Sequence, residues 1–129
     1  AKSDLKLVAN VEYTLKILYG GGVVLGLVTT QKEDVAMPIL ERFELLPRFQ
    51  HMRFHVINKK KAIEEILEEE GVHPRDCYYV GDAPMDVRYA NNAGVVSVAY
   101  LNGFVPENLV MAAKPQVTIR DFRELLSFV

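Results

Sequence analysis

The chain has 129 residues, a formal net charge of −2 and one cysteine, and half of its residues are hydrophobic. This composition is typical of a globular protein with one ordinary core, and it excludes a disordered segment. The 15 basic residues are scattered apart from the run Lys59–Lys61, so we expect no nucleic-acid partner. One cysteine excludes an internal disulfide, and no apolar run reaches the roughly 18 residues that a membrane span needs. We therefore expect a cytoplasmic protein with no membrane partner.

Short apolar runs alternate with amphipathic helical stretches along the chain. Taken in order, the spacing of apolar residues predicts helices over residues 11–19, 32–43, 59–70, 85–93 and 122–128. The apolar runs between them predict strands over residues 23–28, 54–57, 77–80, 95–99 and 117–119. Pro38 either kinks the second helix or marks its true start.

This alternation predicts an α/β fold with a doubly wound parallel sheet in three α/β/α layers. Ligands of such sheets bind at the carboxyl ends of the strands. Three polar clusters directly follow predicted strands: Thr29 with Thr30, residues 58–61, and residues 81–86. These clusters are the places where we expect chemistry.

Asp82 and Asp86 stand where a predicted strand ends and a helix begins. Two carboxylates at this spacing suit Mg²⁺, which takes a few carboxylates and keeps waters and a phosphate oxygen. The spacing alone favours a simpler alternative, in which Asp82 caps the helix and Asp86 complements its positive end.

The hydroxyls and lysines leave similar alternatives open. The hydroxyl of Thr29 or Thr30 could bind a phosphate oxygen, although an ordinary helix cap explains it more simply. A lysine in the first turn of a helix is slightly unfavourable because of the helix dipole. Lys59 or Lys60 could therefore be placed there to bind a phosphate, or the lysines could simply be solvated.

The three clusters together resemble the motifs of a known superfamily. The segment Leu27–Thr30 resembles motif II of the haloacid dehalogenase-like (HAD) hydrolases, and Lys59–Lys61 stands where their motif III lysine is expected. The segment Tyr78–Val87 is similar to motif IV, the Gly-Asp-x-x-x-Asp signature. The resemblance runs from about Leu5 to the C-terminus and is closest to the phosphoglycolate-phosphatase-like branch.

This resemblance implies a Rossmann-like HAD core over residues 1–129, a single domain with motifs II–IV and no cap domain. It implies Mg²⁺-dependent hydrolysis of a phosphorylated small molecule. The site residues that it implies are Thr29 and Thr30 on the phosphate, Lys59 or Lys60 steadying it, and Asp82 and Asp86 for the metal.

The family's nucleophile is the first aspartate of motif I, Asp-x-Asp-x-Thr, and no aspartate of this chain has another two residues later. We favour a chain that lacks the first central strand, motif I and the cap. Alternatively, Leu5–Ala9 is that strand and Asn10-x-Glu12-x-Thr14 is a degraded motif I. In both cases we expect the chain alone not to hydrolyse phosphate esters.

A sheet without its central strand leaves an apolar slot with unpaired backbone groups. Residues 5–8, a second copy of the chain or a separate polypeptide could fill this slot. Two functions remain: one part of a phosphatase active site, or a non-catalytic phosphate-binding, metal-binding or protein-interaction module on the same fold. A phosphatase assay with Mg²⁺ would separate them.

Overall fold

The computed structural model describes residues 10–129, so the predicted roles of residues 1–9, including Leu5–Ala9, lie outside the described residues. The helices are α1 (Val11–Gly20), α2 (Glu33–Arg42), α3 (Lys59–Glu70), α4 (Pro84–Ala93) and α5 (Glu107–Ala112). The strands are β1 (Leu25–Val28), β2 (Phe49–Arg53), β3 (Tyr78–Gly81), β4 (Val96–Tyr100) and β5 (Val117–Ile119). Short 3₁₀ helices span Leu46–Arg48, Pro74–Asp76 and Phe122–Ser127. None of the helices in this part of the chain is long and apolar enough to cross a membrane.

The chain divides into two compact units. Unit 1 contains residues 10–57 and Phe122–Val129, and unit 2 contains Asn58–Asp121. The single-domain organisation stays a prediction.

In unit 1, β1 and β2 form a parallel pair, with Leu27 opposite Met52 and Val28 opposite Arg53. Helix α1 contacts the C-terminal 3₁₀ helix. The buried apolar side chains of this unit are Val11, Leu18, Leu25, Ala36, Leu40, Leu45 and Leu125.

The predicted strand over residues 54–57 is wrong, because the strand of this region is β2. His55 has a left-handed backbone conformation (φ 53°), which no strand residue adopts, and Ile57 is 86% exposed. Strand β2 contains several polar residues, so its sequence lacks the apolar pattern that predicts a strand. One of them, Gln50, uses its side-chain oxygen to accept the backbone N–H of Leu25 at 3.1 Å.

In unit 2, three parallel strands have the order β3-β4-β5, with Gly81 opposite Ala99 in the first pair. Parallel neighbours require crossover connections, which α4 and α5 supply. The helices bury apolar side chains in two clusters: Ile63, Leu67, Ala90 and Val95, and Val87, Ala99, Val110 and Ala113. The predicted parallel α/β class is confirmed.

Three local features differ from the sequence prediction or decide between its alternatives. Pro38 does not mark the start of α2, because that helix begins at Glu33 and Pro38 lies inside it. Helix α5 was not predicted, although its Val110 is buried. The last predicted helix is a 3₁₀ helix rather than an α-helix.

Candidate active site

The motif IV segment leads from β3 into α4. Strand β3 ends at Gly81, and α4 begins at Pro84, whose missing N–H costs nothing at the first helical position. The N-cap is Ala83, so the alternative in which Asp82 caps the helix is wrong. Asp86, in the first turn, accepts the backbone N–H of Ala83 with Oδ2 at 3.3 Å. Asp86 therefore complements the positive end of the helix, as expected.

Lys59 and Asp86 form a largely buried ion pair. Asn58 caps α3 by accepting the backbone N–H of Lys61 at 3.2 Å, which sets Lys59 as the first helical residue. The Lys59 Nζ lies 2.7 Å from Asp86 Oδ1, and the two side chains are only 16% and 10% exposed. Both carboxylate oxygens of Asp86 thus have donors. Lys60 instead makes a looser 3.7 Å pair with Glu64 on the exposed face of α3.

Asp82 contacts a residue that the sequence prediction missed. The side-chain Nδ2 of Asn102, which follows β4, donates to Asp82 Oδ2 at 2.9 Å. Because β3 and β4 are parallel neighbours, residues that follow them emerge at the same edge of the sheet. The sequence signal was the Asn-Gly pair at residues 102–103, shortly after the predicted strand over residues 95–99.

The hydroxyl of Tyr79 on β3 has a raised pKa. Burial is the main cause that raises the pKa of the Tyr79 hydroxyl, and the charge of Asp86 and the neighbouring Tyr89 raise it further. The phenol therefore keeps its proton to a higher pH than an exposed tyrosine does.

Thr29 and Thr30 lie in unit 1, directly after β1. The backbone N–H of Thr29 donates to the carbonyl oxygen of Arg53 at 3.0 Å, and its Oγ1 accepts the N–H of Gln31 at 3.1 Å. The helix-cap alternative is wrong, because the N-cap of α2 is Lys32. Thr30 is exposed. The other four predicted site residues lie in unit 2, so a phosphate site shared by all six stays a prediction.

The Asp82 and Asp86 carboxylates are oxygen donors of the kind that magnesium uses. Within residues 10–129, no group of three or more His, Cys, Asp or Glu side chains could hold a metal. Mg²⁺ commonly uses one or two carboxylates and completes its octahedron with waters and phosphate oxygens. Asp82 and Asp86 are consistent with that pattern and not with an all-protein metal cage.

Comparison with known proteins identifies the family. The sequence profile of the haloacid dehalogenase-like hydrolases matches residues 1–100. The chain belongs to this family. The phosphoglycolate phosphatases of Salmonella typhi and of Escherichia coli strain K12 are each 30% identical to it over 98% of the chain and 52% of the relative. The chain thus spans about half the length of the curated relatives that it matches.

Solved structures agree with the family assignment. A predicted phosphoglycolate phosphatase from Haemophilus somnus is 26% identical, with a TM-score of 0.83 over 97% of this chain and 60% of that one. A HAD-superfamily hydrolase from Geobacter sulfurreducens is also 26% identical, with a TM-score of 0.77 over 95% and 61% of the two chains. The predicted Rossmann-like HAD core is therefore confirmed.

The stretch considered as a degraded motif I forms the start of α1. Asn10 is the N-cap, Glu12 pairs with Lys16 at 2.7 Å, and Thr14 is fully buried. The absence of motif I and of the cap stays a prediction.

Proposed function

We propose that this chain supplies the metal-binding and phosphate-binding side of a HAD phosphatase active site and lacks the nucleophile. The observation that carries this proposal is the 2.7 Å pair of Lys59 and Asp86 beside Asp82 at the end of β3. Burying a lysine and a carboxylate together costs desolvation energy, which is well explained if the pair serves an anionic ligand.

Each site residue has a proposed role. Asp82 is a direct Mg²⁺ ligand, and Asp86 serves the metal while holding Lys59, which we favour over Lys60 as the lysine that steadies the phosphate. Thr29 and Thr30 offer hydroxyls to phosphate oxygens. When bound, Mg²⁺ would offset negative charge on the phosphate. We place this site in the cytoplasm, where the single Cys77 stays reduced.

The substrate class follows from the relatives rather than from the site. The curated relatives carry the name phosphoglycolate phosphatase, so a small phosphorylated acid is the first molecule to test. We expect no turnover by the chain alone, since a motif I aspartate is needed to attack phosphorus. We also propose that a second chain or another copy of this chain supplies the missing strand.

The first test measures Mg²⁺-dependent binding of inorganic phosphate by the broadening of its ³¹P NMR line. The second measures the hydrolysis of p-nitrophenyl phosphate by the same chain. We expect binding without turnover, and loss of binding in Asp82→Asn. Asp76→Asn is the matched control, because Asp76 is exposed and the variant makes the same charge change. Turnover by the chain alone that Asp82→Asn abolishes would contradict the proposed lack of a nucleophile.

The second candidate is a protein-interaction module on the same fold. Such a module needs neither metal nor phosphate. Unchanged NMR spectra on addition of Mg²⁺ and phosphate would favour it over the phosphatase proposal.

A further inference from the structure

Resting on the proposed function, we propose that Asn102 is a positioning residue for Asp82 and sets the Mg²⁺ affinity of the site. The two residues lie 20 positions apart in sequence and are joined by the 2.9 Å hydrogen bond from Asn102 Nδ2 to Asp82 Oδ2. Hydrogen bonds to a carboxylate are stronger than those between neutral groups. The bond restrains one oxygen of the exposed Asp82 carboxylate.

The other end of the Asn102 amide is also fixed. Its Oδ1 accepts the backbone N–H groups of Phe104 at 2.8 Å and Val105 at 3.1 Å. Val105 packs against the buried cluster of Val87, Ala99, Val110 and Ala113. Because two backbone donors require the amide oxygen, the amide nitrogen must face Asp82. The side chain therefore joins Asp82 to a turn that the core holds.

The two aspartates of motif IV have partners of different charge. Lys59 offsets the charge of Asp86, whereas Asn102 is a neutral donor that orients Asp82. A carboxylate that is already oriented binds a cation without first losing rotational freedom. Partners of this kind typically change metal affinity about 10–100-fold when they are removed.

Two substitutions separate positioning from support of the turn. Asn102→Ser retains an oxygen that can accept the turn N–H groups but is too short to reach Asp82, whereas Asn102→Ala loses both roles. Asn108→Ser in α5 is the matched control, because Asn108 is exposed. The probe is Mn²⁺, whose free-ion signal in electron paramagnetic resonance gives the affinity, with Mg²⁺ as competitor.

We expect both Asn102 variants to bind Mn²⁺ at least about 10-fold more weakly than the wild type, with Asn108→Ser unchanged. If Asn102→Ser binds as the wild type does and only Asn102→Ala is weaker, the residue supports the turn and the positioning role is wrong. If the wild type itself binds no Mn²⁺, the proposed function fails first.

A measurement on the wild type needs no variant to fold. Saturation with Mg²⁺ should shift the side-chain NH₂ resonances of Asn102 and leave those of Asn108 in place. Binding that Asp82→Asn abolishes, without any shift at Asn102, would overturn the positioning role and leave the proposed function standing.

Discussion

The side chain of Asp86 lies directly against the α-carbon of Gly81. A Cβ at position 81 would lie 2.5 Å from Asp86 Cβ and 2.6 Å from Asp86 Oδ2, closer than real Cβ contacts allow. The glycine of the motif therefore gives room to the second carboxylate, four residues after Asp82. The same space lets Asp86 keep the position in which it pairs with Lys59.

Gly81→Ala should displace Asp86 and lower the free energy of unfolding by about 1–3 kcal/mol, because the methyl group overpacks the site. Urea denaturation measures this change. Gly20→Ala is the control, since a Cβ at the end of α1 meets nothing within 4 Å. The control should be neutral or slightly stabilising. Equal effects at both positions would contradict the close fit at Gly81.

Lys59→Met should lower the free energy of unfolding by about 3 kcal/mol, because it leaves the Asp86 carboxylate buried without its cation. Adding Asp86→Asn removes that uncompensated charge and should recover part of the loss. Lys60→Met, whose pair with Glu64 is exposed, should change stability by less than about 0.5 kcal/mol. Simple addition of the two single effects in the double variant would show that the pair is not coupled.

Tyr79 should make the protein lose stability above pH 10. The folded state holds the phenol proton to a higher pH than the unfolded state, whose tyrosine pKa is near 10.0. Above that pH the unfolded chain binds fewer protons, so the free energy of unfolding falls as pH rises. Tyr79→Phe should flatten this fall in urea denaturation between pH 8 and 11. Tyr13→Phe, at a 56% exposed position, should not.

Ser97→Ala should lower the free energy of unfolding by about 1–3 kcal/mol, since it removes both bonds of a fully buried hydroxyl. Ser97 Oγ donates to Asn91 Oδ1 at 2.7 Å and accepts the backbone N–H of Gln116 at 3.0 Å. Ser127→Ala is the control, because that hydroxyl is exposed. Thermal unfolding measures the change. Similar unfolding midpoints for the two variants would contradict the proposed contribution of the two Ser97 hydrogen bonds.

The sequence predicts the fold best where one pattern dominates. The apolar stripe of α3 and the glycine that follows it give the helix bounds directly. The second strand was misplaced because residues 54–57 are apolar enough to suggest a strand, whereas Phe49–Arg53 pairs with β1 despite its polar residues. Helix α5 is too short for its periodicity to be recognised.

The site was predicted only as far as its sequence motif extends. The motif IV spacing identifies Asp82 and Asp86, but the sequence could not show that Asp86 pairs with Lys59, 27 residues away. It also could not show that Lys59 rather than Lys60 contacts Asp86, or that Asn102 contacts Asp82. The first two depend on how α3 packs against α4, and the third depends on the parallel pairing of β3 with β4.

Unit 1 is built from two distant parts of the chain, and unit 2 from one continuous part. During synthesis, unit 2 is complete once Asp121 has left the ribosome. Unit 1 must then wait for the 3₁₀ helix Phe122–Ser127, whose Leu125 is buried and which contacts α1. This later segment therefore completes a unit that begins earlier in the chain, and a chain cut after residue 121 would leave α1 without its contact to the 3₁₀ helix.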